Sequence, residues 1–157
     1  VWVPSYFDSN GDGSGDMNGL TEKLESLRRI GIQTVWPQPF LLSDGFSDAI
    51  RDYRAMDSKL GVNTDADKFL QEAKRKGMKV VISLPIATTS LEHEWFLKAE
   101  EPLNPGDSDY SDFYTWSTGD PAFFSKGKDS RFYLHKKDDP KAAVLNWKND
   151  RVKEQIK

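Results

Sequence analysis

The chain has 157 residues, of which 22 are basic and 25 are acidic, so its formal net charge is −3. With 37% hydrophobic and 12% aromatic side chains, it has the composition of a globular protein and not of a disordered one. The small negative charge, without a basic block, argues against a nucleic-acid surface, because phosphates need clustered Lys and Arg. The absence of cysteine excludes disulfides and thiolate metal sites. No apolar run approaches the roughly 18 residues of a membrane-spanning helix.

The first half of the chain alternates β-prone runs with amphipathic helices. Two stretches carry apolar residues at helical spacing, and each is followed by a glycine that acts as a stop signal, Gly31 or Gly77. The run MKVVISL is continuous and β-branched, which is typical of a parallel strand buried on both faces. In chain order we predict a strand tail over residues 1–7, a loop over 8–16, a helix over 20–30, a strand over 32–36, irregular structure over 41–60, a helix over 65–76 and a strand over 78–84. This alternation predicts an α/β fold with a parallel sheet and crossover helices.

The pattern changes at Pro85. Residues 85–147 are dense in Pro, Gly, Asp and aromatics and show little periodicity, which predicts a functional insertion or a subdomain. Residues 149–157 predict the start of a helix capped by Asn149 or Asp150. Because the first strand and the last helix are both abrupt, we expect the chain to be a piece of a longer protein.

Several distinctive sequence motifs, called words below, occur along the chain in this order: SYFDSNGDGSGDMNGLTEKLESLRRIGIQTVW, DYRAMDSKLG, the segment over residues 69–84, TSLEHEWF, FYLH and LNWKND. Together they resemble the α-amylase family, glycoside hydrolase family 13. The likeness is to its α-glucosidase and oligo-1,6-glucosidase branch and to its non-enzymatic relatives, the heavy-chain subunits of heteromeric amino-acid transporters. Each word is weak alone, but the ordered set covers the whole chain.

The resemblance implies a (β/α)₈ TIM barrel with a domain B inserted after the third strand. On this basis residues 1–84 would be the N-terminal part of the barrel, 85–147 domain B, and 148–157 the start of the next barrel helix. A complete barrel needs ~250 residues, so the chain would hold only the first three strand–helix units. Unpaired sheet edges would then remain, and we expect the chain to be unable to fold stably alone.

A candidate metal loop alternates oxygen-bearing side chains with Ser9 and glycines. Alternate positions of a tightly wound loop can point oxygens at one centre, and such ligands suit a hard cation, above all Ca²⁺. Crowded carboxylates also repel one another unless a cation neutralises them. The candidate ligands are Asp8, Asn10, Asp12, Ser14 and Asp16.

The loop begins like an EF-hand, D-x-N-x-D-G, but Gly19 stands at the twelfth position, where an EF-hand needs a bidentate Glu. A plain Asp- and Gly-rich turn is the alternative interpretation. The resemblance implies a single Ca²⁺ in this loop, with the Ser14 position contributing its backbone carbonyl.

Glycoside cleavage needs two carboxyl groups, and the resemblance places both of them beyond Lys157, so no residue of this chain is assigned a catalytic role. The family pattern after the third strand is D-x-x-x-N-H, in which the His contacts the bound sugar. Here Ser83, Ala87 and Thr88 stand at those three positions. All three polar functions are therefore lost together.

Two further sugar-facing words depart from the family pattern. Asp48 and Ala49 take the places of the Tyr and Asp in the family's G-Y-D word, and residues 142–146 read AAVLN where the family has Q-P-D-L-N. A slip of the alignment around Gly45 and Phe46 could restore part of the first word. Substrate-facing words are thus degraded while scaffold words survive, which favours a domain kept for its shape and predicts no intact substrate-binding residue.

Two functional hypotheses follow from the resemblance. The first is a non-catalytic domain, as in the ectodomain of an amino-acid transporter heavy chain, with a membrane light chain as partner. It implies an extracellular or cell-surface location, with the membrane anchor outside this chain, or alternatively a secreted protein. The second is the N-terminal part of an active α-glucosidase that acts on α-linked oligosaccharides.

Other polar residues have structural interpretations. His93 and His135 lack a second His or a Cys at ligand spacing, so both are expected at the surface or in structural roles. The mixed-charge run 136–139 predicts a solvated turn. The acidic and aromatic segment over residues 107–116 could form a sugar-binding platform, but the resemblance favours domain B packing.

Overall fold

The computed structural model describes residues 1–101, 108–128 and 130–157. The chain divides into two compact units. One comprises residues 1–42 and 54–84, and the other comprises residues 43–53 and 85–157. The domain limits given above stay predictions.

In chain order the elements are a 3₁₀ helix (Val3–Ser5), α1 (Met17–Arg29), β1 (Thr34–Val35), β2 (Leu41–Ser43), β3 (Ile50–Met56), α2 (Asn63–Arg75), β4 (Lys79–Val80), β5 (Thr88–Ser90), α3 (Glu94–Glu100), a 3₁₀ helix (Ser108–Phe113), β6 (Trp116–Ser117), β7 (Phe124–Lys126), β8 (Phe132–Lys136), β9 (Asp139–Val144) and α4 (Asp150–Ile156).

The first unit has the predicted alternation of strands and helices. Strands β1 and β4 pair in parallel, with Val35 opposite Val80, and Trp2 forms a parallel bridge with Gln38 on the other side of β1. Helix α1 lies between the bridge residue and β1 in sequence, and α2 precedes β4. The α/β fold with parallel strands and crossover helices is therefore confirmed.

Both helices of the first unit end where the sequence predicts. Gly31 and Gly77 follow α1 and α2 with φ of 92° and 68°, a left-handed conformation that glycine adopts without steric cost. Leu20 and Leu24 of α1 and Phe69 of α2 are completely buried. The apolar positions at helical spacing are thus the ones that form the core of this unit.

The prediction that residues 78–84 form one strand buried on both faces is wrong. Only Lys79 and Val80 have strand pairing, and the side chains of Val81 and Leu84 are 47% and 51% exposed. Strand β4 pairs with β1 alone in a two-stranded sheet of the described residues, so its far side has no neighbour to cover it. The apolar sequence of residues 78–84 therefore predicts more burial than these residues have within the described parts of the chain.

Two further expectations are corrected. Residues 41–60 are not irregular throughout, because they contain β2 and β3. The region after Pro85 also contains regular elements, namely α3 and the strands β5 to β9. Their strands are only two to six residues long, too short for period-two alternation to stand out.

The second unit is built on a mixed sheet. Ile50 at the start of β3 pairs in parallel with Thr89 of β5, and β5 pairs antiparallel with β9. Strand β9 then pairs with β8, and β8 also pairs with β6 and β7, all antiparallel. This sheet brings residues of the 43–53 segment beside residues that follow Pro85.

An aromatic core lies in the same unit. Phe96 of α3 is completely buried, and its ring centroid lies 5.0 Å from those of Tyr114 and Tyr133, edge to face in both cases. Val152 of α4 belongs to this cluster. The side chain of Asn149 accepts a hydrogen bond from the backbone N–H of Arg151, so Asn149, one of the two predicted caps, is the N-cap of α4.

Replacing Phe96 with Ala tests this core. We expect Phe96→Ala to lower the free energy of unfolding by about 3–5 kcal/mol, because it leaves a cavity among the surrounding rings. Leu97→Ala, on the exposed side of the same helix, should change it by less than about 0.5 kcal/mol. Urea denaturation of the whole protein, followed by tryptophan fluorescence, measures both values, and equal losses would contradict this account of the core.

Candidate functional site

The candidate metal loop is wound around the carboxylate of Asp8. Its Oδ1 accepts hydrogen bonds from the backbone N–H groups of Asn10 (3.2 Å) and Gly11 (2.7 Å), and its Oδ2 accepts one from Gly13 (2.8 Å). Hydrogen bonds from the Gly13 and Gly11 N–H groups lower the pKa of Asp8. Gly11 and Gly13 have φ of 80° and 93°, a left-handed backbone that glycine adopts without steric cost.

Asn10 and Asp12 face each other across the same turn. The Asn10 Nδ2 group donates to Asp12 Oδ2 (3.1 Å), and the Asp12 N–H donates to Asn10 Oδ1 (2.9 Å). The N–H of Ser14 donates to Asp12 Oδ1 (2.8 Å). The side chains of these residues are therefore ordered by contacts within the loop.

Asp16 has a structural role that the sequence pattern did not single out. It is the N-cap of α1, and its Oδ1 accepts hydrogen bonds from the Gly19 N–H (2.7 Å) and the Ser9 hydroxyl (2.8 Å). Burial raises the pKa of Asp16, but the hydrogen bonds from Gly19 and Ser9 outweigh it, so the net shift is downward. This carboxylate ties the loop to the first helix.

Among the described residues, no three His, Cys, Asp or Glu side chains are gathered in a group that could hold a metal ion. The five predicted ligands nevertheless fit Ca²⁺ in their chemistry, since they supply only oxygen donors. Asp8 Oδ2, Asp16 Oδ2 and both Asp12 carboxylate oxygens each accept one hydrogen bond, so they keep acceptor capacity. The calcium site therefore stays a prediction.

The positions that the resemblance predicts to be altered sugar-facing residues fall in both units. Ser83 lies in the first unit, where its hydroxyl oxygen accepts hydrogen bonds from Trp36 Nε1 (3.0 Å) and Gln38 Nε2 (3.3 Å). Ala49, Ala87 and Thr88 lie in the second unit, together with Asp48. Ala49 is completely buried.

Thr88 and Asp48 are brought into direct contact. The buried Thr88 hydroxyl donates to the backbone carbonyl of Asp48 (3.1 Å). The Asp48 carboxylate is exposed and forms an ion pair with Lys136, with 2.7 Å between Oδ2 and Nζ. In the third word, Ala142 and Ala143 are completely buried in β9 and pair with Ser90 and Thr89.

Lys136 is a residue that the sequence reasoning missed. Of the run 136–139 predicted as a solvated turn, residues 137 and 138 form an exposed turn, while Lys136 ends strand β8. The strand register shifts between His135 and Lys136. Such bulges re-aim side chains. No sequence signal marks the contact, because Asp48 and Lys136 are 88 positions apart.

A second network holds the turn that precedes Asp48. Arg51 Nε lies 2.5 Å from Asp44 Oδ1, and Arg51 Nη2 lies 2.6 Å from Glu92 Oε2. The hydroxyl of Ser90 donates to Asp44 Oδ2 (2.6 Å). Asp44 is thus fixed by a cation from β3 and by a buried hydroxyl from β5.

His93 is structural, as one of the two expected roles, but it is not at the surface. It is 5% exposed and is the N-cap of α3, where its Nδ1 accepts the N–H of Trp95 (3.1 Å). Burial lowers the pKa of His93 to about 4, although the negative charges of Asp52 and Glu94 act in the other direction and raise it. His135 is partly buried, and its Nδ1 lies 2.8 Å from the Lys136 carbonyl oxygen.

The aromatic segment before β6 packs inward. Phe113 and Tyr114 are buried in the core of the second unit, and Trp116 packs against that core. Residue 107 and the side chain of Asp109 lie outside the described residues. The described part of the segment therefore agrees with packing and offers no open aromatic platform.

Comparison with known proteins gives a consistent result. A sequence model of the family described as "Alpha amylase, catalytic domain" matches residues 1–157. An oligo-1,6-glucosidase of Heyndrickxia coagulans is 35% identical over 173 aligned residues, which cover 99% of this chain and 30% of that protein. A glucan 1,6-alpha-glucosidase of Streptococcus pneumoniae is 34% identical, over 99% of this chain and 30% of its own length.

A solved structure shows the same likeness. Eubacterium rectale Amy13B matches with a TM-score of 0.88 at 31% identity, over 99% of this chain and 32% of the other. The chain thus spans about a third of the length of the proteins it matches. The partial barrel fold predicted from the sequence is supported by this likeness along nearly the whole chain.

The buried His93 predicts a pH dependence of stability. Its pKa is about 4 in the folded protein and ~6.5 when unfolded, so between these values the unfolded state binds the proton and the folded state does not. The contribution of His93 is complete above pH ~6.5 and falls as the pH drops toward 4.

His93→Asn keeps a capping oxygen but does not titrate. We expect the difference in unfolding free energy between the native protein and this variant to shrink from pH 7.5 to pH 5.0. Urea denaturation at both pH values measures it, and a constant difference would contradict the assignment.

Proposed function

This chain belongs to the α-amylase catalytic-domain family, and we propose that the whole protein is a glycoside hydrolase of the α-glucosidase type. Its substrates would be short gluco-oligosaccharides with α-glucosidic bonds. The proposal is carried by the likeness to an oligo-1,6-glucosidase over 99% of the chain. The two sequence relatives reported above are named as glucosidases. Neither name supports the transporter interpretation, so hydrolysis becomes the first hypothesis and the non-catalytic domain the second.

In this proposal the chain supplies scaffold and substrate contacts and not the reacting carboxylates. Hydrolysis would use one carboxyl group as acid and one as nucleophile or base, and the family likeness places both outside residues 1–157. The buried hydroxyls of β5 and the ion pair of Asp48 would fix the turn at residues 44–49, which carries one of the sugar-facing words.

A non-catalytic domain is the second candidate, and one observation favours it. Ser83 has its hydroxyl oxygen engaged by Trp36 and Gln38, while Ala49 and Ala87 offer no hydrogen-bonding side chain. Such a domain fits the ectodomain of a transporter heavy chain with a light chain as partner, at the cell surface. No helix of the described residues is long and apolar enough to cross a membrane.

An activity measurement separates the two candidates. The whole protein should release glucose from isomaltose and nitrophenol from p-nitrophenyl α-glucoside. Replacing the two carboxylates that align with the family's nucleophile and acid by their amides should abolish both activities, since each carboxyl group is essential to the mechanism. No turnover by the pure, folded whole protein would reject the first candidate and leave the second.

We also propose that the loop over residues 8–16 binds Ca²⁺ through Asp8, Asn10, Asp12 and Asp16 and the carbonyl of Ser14. Support comes from the all-oxygen donor set and from the two left-handed glycines that wind the loop. The bound ion would neutralise the crowded carboxylates and hold the start of α1, where Asp16 is the N-cap.

Calcium binding can be measured independently of activity. Titration calorimetry of the whole protein should detect one Ca²⁺, and Asp12→Ala should weaken the affinity by about tenfold or more, because ligand charge sets the affinity of such loops. Asp12 is the better choice because Asp16→Ala would also remove a helix cap. Asp138→Ala, in the hairpin between β8 and β9, is the control. Equal affinity in the native protein and Asp12→Ala would remove the loop as the site.

A further inference from the structure

The ion pair between Asp48 and Lys136 has hydrogen-bonding capacity to spare. The two side chains are 58% and 48% exposed, and Lys136 Nζ lies 2.7 Å from Asp48 Oδ2. Within the described residues, Asp48 Oδ1 has no hydrogen-bond partner and Lys136 makes no second side-chain hydrogen bond, although the negative charges of Asp138 and Asp139 also act on it. An ammonium group has three N–H donors and a carboxylate accepts about four hydrogen bonds, so the pair presents free donors beside free acceptors.

The pair is held in place from three directions. The backbone of Asp48 is fixed by the buried hydroxyl of Thr88, and the turn before it is fixed by Arg51 and Ser90 through Asp44. On the other side, Lys136 lies in β8 directly at the register shift between His135 and Lys136. An exposed ion pair by itself contributes only about 0–1 kcal/mol to stability, so the side chains of Asp48 and Lys136 can turn to a ligand at little cost to the fold.

A donor beside an acceptor is complementary to two neighbouring hydroxyl groups. In such a contact one sugar hydroxyl donates to the Asp48 carboxylate while the next accepts from the Lys136 ammonium. Both hydrogen bonds involve a charged partner, and such bonds are shorter and stronger than neutral ones. Asp48 also lies next to Ala49, so the polar pair adjoins a position that has lost its own polar group.

We propose that Lys136 and Asp48 together bind vicinal hydroxyls of a glucose unit and act as specificity-determining residues of the substrate site. The inference rests on the proposed function, because it takes an α-linked gluco-oligosaccharide as the ligand. It assigns a binding role to β8, through a lysine that the sequence places in an ordinary mixed-charge run. It also accounts for how a chain with degraded sugar-facing words would still contact a sugar.

Binding of isomaltose to the whole protein tests this role without requiring turnover. Lys136→Met keeps the apolar stem and removes the donors, and Asp48→Asn removes the charge. Each change should raise the Kd for isomaltose by about tenfold, which corresponds to about 1.4 kcal/mol. Because the two residues act as a unit, the double variant should bind hardly more weakly than either single variant.

Lys153→Met is the matched control. Lys153 forms a similar exposed ion pair with Asp150, with 2.6 Å between Nζ and Oδ1, and the proposal gives that pair no role in sugar binding. The control should leave the Kd unchanged, and none of the variants should shift the melting temperature by more than a degree or two. If the enzyme turns isomaltose over, KM should rise in Lys136→Met while kcat changes little.

The outcomes separate this inference from the proposed function. Tight binding without cleavage, lost in Lys136→Met, would support the inference and reject hydrolysis. Cleavage with an unchanged Kd and KM in Lys136→Met and Asp48→Asn would support hydrolysis and overturn the inference. A native protein without measurable affinity for isomaltose, or an equal loss in Lys153→Met, would also overturn it.

Discussion

Strand β5 is the constraint on which the second unit depends. All three of its residues are buried and carry hydroxyl groups, and a buried hydroxyl without a partner is costly. Each one has a partner: Thr88 donates to the Asp48 carbonyl, Thr89 lies 2.7 Å from the Tyr114 hydroxyl, and Ser90 donates to Asp44. Meeting these requirements fixes the 44–49 turn on one side and the aromatic core on the other.

The same hydrogen bonds explain why the candidate site is ordered although its sugar-facing words are altered. Thr88 cannot act as an imidazole, but its hydroxyl holds the backbone of Asp48, and the carboxylate is then free to pair with Lys136. Ser83 accepts two hydrogen bonds where the family has an acidic residue. At two positions where the resemblance predicts a lost sugar-facing group, Ser83 and Thr88, the side chain thus binds the protein itself.

The loop over residues 8–16 combines two functions in one segment. Asp8 and Asp12 accept hydrogen bonds from the loop's own N–H groups, while Asp16 caps α1 and accepts from Ser9. A cation there would act on a segment that the chain already orders. For this reason the calcium proposal is tested by affinity and not by the mere presence of the loop.

The sequence by itself determined the elements whose signals are local. Helical spacing and the stop glycines placed α1 and α2, and the cap of α4 was narrowed to Asn149 or Asp150, because these signals depend on residues a few positions apart. Sequence words also indicated the family. Only the tertiary structure decided the short strands after Pro85, the exposure of Val81 and Leu84, and the pairing of Asp48 with Lys136. These features depend on which distant segments become neighbours, and no spacing along the chain records that information.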